Sequence, residues 1–221
     1  MNYIFIDFEM HPIPNTYKEI REYCRVEIIE FGAVLLDEKG NELSSFKSYV
    51  KPQYSPEILP KYQELTGITT EMVAGAKPFA SVLEDFLQWG SSQGKFIIYA
   101  WSNNDKNKFS AELKLKEIYV DDNLSKILDE WRDFQAEYTK LIGLTKPINL
   151  SIALDILGED FSGQVHDALW DARNTAALYR LTLDKPEFEK RKKQLHIGSE
   201  EDSMSVSLGS LFDFSKLNLK W

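Results

Sequence analysis

Four acids and one histidine are the residues of this chain whose types and spacing could do chemistry. Asp7 and Glu9 stand two residues apart at the end of an apolar run. A strand's period of two puts both side chains on one sheet face. Like charges one pleat repeat apart repel, and both residue types are depleted in strands, so a positive partner is needed. A divalent cation suits, because Mg²⁺ favours one or two carboxylates together with substrate phosphate oxygens. Asp105 lies four residues after Trp101, at a strand-to-helix junction where α/β sheets collect functional groups. Further on, Val165-His166-Asp167-Ala168-Leu169-Trp170-Asp171 sets a histidine five residues before an aspartate. On one continuous helix these two would stand ~140° apart. If Asp167 caps the helix, His166 stays on the loop and can turn towards Asp171. Asp171, Asn174, Thr175 and Leu178 then form a stripe at i, i+3, i+4 and i+7, headed by an acid. Taken singly, each feature has a plainer explanation: a solvated strand end, or acids drawn to a helix N-terminus by its dipole.

An α/β scaffold must position them. Three strand-like runs open the chain, Tyr3 to Asp7, Glu27 to Leu36 and Glu42 to Val50, with Lys39-Gly40-Asn41 as a hairpin turn between the last two. Pro52, Pro56 and Pro60 mark residues 51–61 as an extended loop. Phe79, Val82, Leu83, Phe86 and Leu87 recur at helical spacing within Pro78 to Trp89. A fourth strand, Lys95 to Trp101, is apolar on both faces, as a strand covered by helices must be. Asn104 is the expected cap of a helix reaching about Leu115, Ile118 to Val120 a fifth strand, and Leu124 to Leu141 one long helix. Ser151 to Leu157 and Ala168 to Leu183 read as two more helices, stopped by Gly158 and before Pro186. The alternation predicts one α/β domain over residues 1–185 with a five-stranded mixed sheet and helices on both faces. Residues 186–221 are left as a tail that docks, swaps to a partner or stays mobile. It holds the basic run Lys190 to Lys193 and an apolar end with Leu211, Phe212, Phe214 and Trp221.

Asp-x-Glu on the first strand, an aspartate after the fourth, then His-x4-Asp: in this order the motifs resemble the DEDDh, or DnaQ-like, 3′-to-5′ exonucleases on a ribonuclease H-like fold. The resemblance covers roughly residues 2–182. Glu27 to Val34 is similar to the family's second strand, and Leu65-Thr66-Gly67-Ile68 to the loop that meets the terminal nucleotide. Ser151 to Asn174 resembles most the branch of Eri-1-like exoribonucleases and the sporulation inhibitor KapD. One position departs: Trp101-Ser102-Asn103-Asn104-Asp105 stands where the family usually has Trp-Gly-x-x-Asp, and serine lacks glycine's freedom at positive φ.

The resemblance implies two divalent ions, Mg²⁺ or Mn²⁺. Asp7 would bridge them, Glu9 and Asp171 complete the first, and Asp105 hold the second through water. His166 would be the general base for the attacking water, its ordinary pKa of ~6.5 suiting neutral pH. Phe8, Met10, Leu65, Thr66 and His166 would meet the terminal nucleotide. Met10 and Leu65 accept any base by apolar contact, so sequence preference should be weak. The expected substrates are single-stranded nucleic acid 3′ ends, RNA slightly preferred, and the product a nucleoside 5′-monophosphate. A second class remains open, a regulatory protein that uses this fold to hold a protein or RNA partner, as the KapD resemblance allows. An oligoribonuclease-like enzyme is a weaker option, since that group normally has tyrosine where His166 stands.

Composition bounds the rest. The 221 residues carry a net charge of −9, which repels polyanions unless bound cations reverse the field locally. That argues against a simple nucleic-acid-binding module and fits gathered metal-ligating acids. No apolar run approaches the ~18 residues of a membrane span. The opening MNYIFIDFEM is acidic where a signal peptide is basic, and the lone Cys24 suits a reducing compartment, so a cytoplasmic protein is expected. Cys24, His11 and His196 read as packing or surface residues.

Overall fold

Runs of β-branched and aromatic residues at the start of the chain build a sheet that later helices cover. The computed structural model describes residues 1–200, with 194–200 by their main chain only. In chain order come β1 (Asn2–Pro12), α1 (Lys18–Arg21), β2 (Val26–Leu36), β3 (Glu42–Lys51), α2 (Pro60–Thr66) and α3 (Thr70–Ala74). Then follow β4 (Lys77–Pro78), α4 (Phe79–Ser91), β5 (Phe96–Ala100), α5 (Asn103–Leu115), α6 (Asp122–Glu130) and β6 (Arg132–Asp133). The series closes with α7 (Phe134–Ile142), α8 (Leu150–Ile156), α9 (Ala168–Leu183) and α10 (Lys185–Glu200). Among the described residues, no helix is long and apolar enough to cross a membrane.

The sheet order is β4-β3-β2-β1-β5-β6, with β1 between an antiparallel β2 and a parallel β5. Strand alternation divides the core. Ile4, Ile6 and Phe8 face Val82 and Phe86 of α4 and Phe109 and Leu113 of α5. Phe5, on the other face, joins Val34, Leu36 and Ala176 of α9. The mixed α/β sheet with helices on both faces is as expected, but it has six strands where the sequence suggested five. Ile118 to Val120 is not a strand. The edge is instead β6, two polar residues paired with Tyr99 and Ala100, too short to show a period.

The long helix expected over Leu124 to Leu141 is two helices. Leu124, Leu128 and Trp131 keep helical spacing, yet Trp131 turns extended, at φ −64° and ψ 131°, and packs its indole against Phe8 and Phe109. Asp133 then caps α7 by accepting the Ala136 N–H at 2.9 Å. The proline-rich loop is also shorter than expected, because Pro60 opens α2 at a position that needs no N–H donor.

Past residue 185 the chain continues as α10 to residue 200. Phe188 is buried among Tyr138, Leu154 and Leu178. Arg191 donates to the Leu157 carbonyl at 2.8 Å and pairs with Glu159, and Lys192 donates to the Leu141 carbonyl. Of the basic run, Lys190, Arg191 and Lys192 are therefore engaged within the chain, Lys190 with Glu187. Leu211, Phe212, Phe214 and Trp221 lie outside the described residues.

Candidate active site

The site forms where β1 leaves the middle of the sheet. Asp7 and Glu9 point to the α9 face, while Phe8 points away, 5% exposed and packed on Phe31 and Phe109. The side chain of Phe8 thus serves the core, and only its main chain is available to a nucleotide. A register shift between Glu9 and Met10, where the ladder skips Ile29, interrupts the pairing with β2 before it resumes to Pro12, and Met10 packs partly buried on the same core.

Asp105 arrives on the first turn of α5 and is 7% exposed. Ser102, the residue that departs from the family pattern, is the N-cap in place of Asn104. Its φ is −137°, and its hydroxyl accepts the Asn104 N–H at 3.2 Å. An extended residue needs no glycine there, and serine supplies the cap. Asp171 sits one turn into α9, which Asp167 caps by accepting the Leu169 and Trp170 N–H groups at 3.1 and 3.2 Å. His166 precedes the cap at φ +63°, a left-handed conformation that swings the chain into the helix. One ligand atom each of Glu9, His166 and Asp171 falls within 4.8 Å of the others.

Electrostatics shows that the four acids converge. Burial raises the Asp7 carboxyl well above its ordinary value, and the charges of Asp105, Asp171 and Glu9 push it further. Burial, then Asp171 and Glu30, lift Glu9 to about 8. Burial lifts Asp105 to about 7, with Asp171 adding to the rise. Asp171 also reaches about 7, again chiefly through burial. His166 moves the other way: although the residue is exposed, partial desolvation of its imidazole lowers its pKa. Carboxylates that cannot all ionise beside one another, with oxygen and nitrogen donors at ion-binding separation, fit hard divalent cations.

The other expected contacts are set by α2. The Glu27 carboxylate accepts N–H groups of Gln53, Tyr54 and Ser55 at 2.6 to 3.0 Å, and His11 Nε2 accepts that of Leu59 at 3.0 Å. These bonds tie the loop before α2 to β1 and β2. Leu65 is left 43% exposed, whereas the Thr66 hydroxyl is engaged, donating to the Tyr62 carbonyl and accepting the Ile68 N–H. His11 is a packing residue, edge-on to Tyr62, and Cys24 is buried with Ile13 and Leu115. The side chain of His196 lies outside the described residues.

Sequence reasoning missed Glu30 and Gly32. Glu30 lies opposite Glu9 across the β1–β2 pair, 1% exposed, and accepts the Ala168 N–H at 3.1 Å. An acid inside the run Glu27 to Leu36 was the available signal.

A mixed sheet that brings together Asp-x-Glu, a second aspartate and His-x4-Asp defines the class: the DEDDh superfamily of 3′-to-5′ exonucleases. The family model RNase_T, described as Exonuclease, matches residues 4–179, and the chain belongs to that family. ERI1 exoribonuclease 2 of Homo sapiens is 33% identical over 193 residues, 79% of this chain and 27% of that protein. The 3′-5′ exoribonuclease 1 of Rattus norvegicus is 30% identical over 191 residues, 82% of this chain and 54% of the relative. The chain thus spans about a quarter to about half of the length of these relatives. Among solved structures, the nuclease domain of 3′hExo, a DEDDh family member bound to rAMP, superposes with a TM-score of 0.71 at 24% identity, covering 83% of this chain and 92% of that one. The fold is therefore ribonuclease H-like, and the family implies divalent metal ions.

Proposed function

We propose that this chain is a 3′-to-5′ exonuclease that uses two Mg²⁺ or Mn²⁺ ions to release nucleoside 5′-monophosphates from single-stranded 3′ ends in the cytoplasm. The observation that carries it is the convergence of Asp7, Glu9, Asp105 and Asp171, all with raised pKa, beside His166. RNA is the favoured substrate because the relatives are named exoribonucleases.

Asp7, Glu9 and Asp171 would hold one ion, and Asp105 with Asp7 the other. When bound, such a pair polarises the phosphate and stabilises the developing charge on the attacking and leaving oxygens. His166, its pKa lowered, is neutral at pH 7 and accepts the proton of the attacking water. The water oxygen bonds to phosphorus, the P–O3′ bond breaks, and the leaving 3′ oxygen takes a proton from solvent, so that the shortened strand ends in a 3′ hydroxyl. Leu65 and Met10 lie against the terminal base, and Thr66 approaches the sugar through its main chain.

The test is a 5′-labelled single-stranded RNA or DNA incubated with protein and Mg²⁺ or Mn²⁺. A ladder shortening from the 3′ end is expected, absent in EDTA and in Asp171→Asn. A ladder that survives both conditions, or cleavage from the 5′ end, rejects the reading.

A further inference from the structure

Lys47 brings a positive charge to the rim of this acid cluster. It lies on β3 directly opposite Gly32 of β2, which has no side chain to bar its way. Its Nζ stands 3.1 Å from Oε1 of Glu30 and 2.5 Å from Oδ2 of Asp167. These two carboxylates hold the first turn of α9. Through its other oxygen Glu30 accepts the Ala168 N–H, and through its other oxygen Asp167 caps Leu169 and Trp170. Lys47 therefore joins the two acids that seat α9 on β2. His166 directly precedes that cap, and Asp171 lies one turn beyond it.

The geometry points to Lys47 as a positioning residue of the active site: by tying Glu30 to Asp167 it fixes the start of α9, and with it Asp171 and His166, for cation binding and turnover. The activity arm of this inference rests on the exonuclease reading; the binding arm does not. Lys47 is 32% exposed on its side chain but Glu30 only 1%, so removing the lysine charge also leaves a buried carboxylate without its cation and lowers stability. Placement is therefore read from metal binding and kcat in the folded protein, well below its melting transition. Groups that orient metal ligands typically change affinity or activity by about 10- to 100-fold when lost.

Lys47→Met keeps the apolar stem and removes the charge, whereas Lys47→Arg keeps both. Titration calorimetry with Mn²⁺ alone should show about 10- to 100-fold weaker binding for Lys47→Met. On single-stranded RNA its kcat should fall by a similar factor with KM for the oligonucleotide nearly unchanged. Lys47→Arg should restore both quantities and, by keeping a cation beside the buried Glu30, melt near the wild type in EDTA, whereas Lys47→Met should melt lower. Asp167→Asn leaves an oxygen to cap α9 but breaks the tie, so the double variant with Lys47→Met should lose no more than either single one. Wild-type Mn²⁺ affinity in Lys47→Met, a change confined to KM, or fully additive losses in the double variant would overturn the assignment. Should the wild type cut no nucleic acid, the exonuclease reading falls, while Mn²⁺ binding still decides the role of Lys47.

Discussion

A β-carbon at Gly32 would lie 2.1 Å from the carbonyl carbon of Ala168, so the first turn of α9 rests directly on the main chain of β2. Both sides of that contact are backbone and cannot rotate away. Gly32→Ala should therefore lift α9 off the sheet, costing at least the ~1–3 kcal/mol of an overpacked core. Because α9 carries Asp171, the same change should weaken Mn²⁺ binding. Thermal melts and Mn²⁺ calorimetry on this variant check both effects; a protein that melts and binds like the wild type would show that the helix can shift at no cost.

Stability without metal should fall as pH rises. Glu9 at about 8, and Asp105 and Asp171 at about 7, hold protons in the folded chain that the unfolded chain has released at its ordinary carboxylate values near 4. The folded state binds more protons across that window, so the stability these groups contribute is complete below about pH 4 and lost as pH passes through 7 to 8. In EDTA the denaturant midpoint should decline between pH 5 and 8 from this contribution, and saturating Mn²⁺ should flatten the decline. A midpoint that climbs through this range in EDTA and does so equally in Asp7→Asn contradicts the assignment.

The clustered acids were legible because each stands against its surroundings: Asp7 and Glu9 interrupt an apolar strand, and Asp171 heads a small and apolar helical stripe. The helix Ala168–Leu183 and its Asp167 cap were equally clear, since cap and period agree. Residues that act through main chain left weaker marks. Glu27 and Glu30 sit in a run that reads as a strand whether or not their carboxylates capture N–H groups across the sheet. Trp131 keeps helical spacing with Leu124 although its backbone leaves the helix, so periodicity alone joined α6 to α7. The pairing of β6 depends on a neighbour distant in sequence and has no local signature.

His166 tolerates its φ of +63° at some steric cost, and asparagine adopts that region readily. His166→Asn thus removes the base and keeps the turn. The expected loss in kcat is roughly 100- to 10,000-fold, the range for general-base catalysis, with KM for the oligonucleotide little changed. In the wild type, kcat should fall on the acid side as the imidazole protonates, below its ordinary 6.5 because desolvation lowers its pKa. Rate profiles from pH 5 to 8 for both proteins check this; an identical acid limb in His166→Asn would assign that titration elsewhere.

Leu65 is exposed and contributes little to the core, which separates its proposed contact with the terminal base from folding. Leu65→Ala should leave the melting temperature unchanged and raise KM for single-stranded RNA about fivefold, as loss of roughly 1 kcal/mol of apolar contact implies. The effect should be the same whichever base ends the strand, since an alkyl group offers no hydrogen bond to read. Steady-state rates on four oligonucleotides differing only in the last base measure this, and a loss confined to one base would mean that Leu65 takes part in recognition.

Asp7 separates stability from activity most sharply. It has the charges of Asp105, Asp171, Glu9 and Glu30 around it, each raising its pKa, so its ionised form is opposed by every acid of the site. Asp7→Asn relieves that repulsion while keeping nearly the same shape. Without metal the variant should melt higher than the wild type at pH 8, and the difference should shrink towards pH 5 as the wild-type carboxylates protonate. With Mg²⁺ present the order should reverse, because the wild type gains binding energy that the variant has lost. Its cleavage rate should drop on the order of 1,000-fold, matching the several kcal/mol of charge stabilisation that a metal ion supplies to a transferring phosphoryl group. Differential scanning calorimetry at the two pH values, with and without Mg²⁺, reads all three comparisons. An Asp7→Asn protein that melts lower than the wild type in EDTA at pH 8 would mean that the carboxylate is held by a partner other than a metal ion.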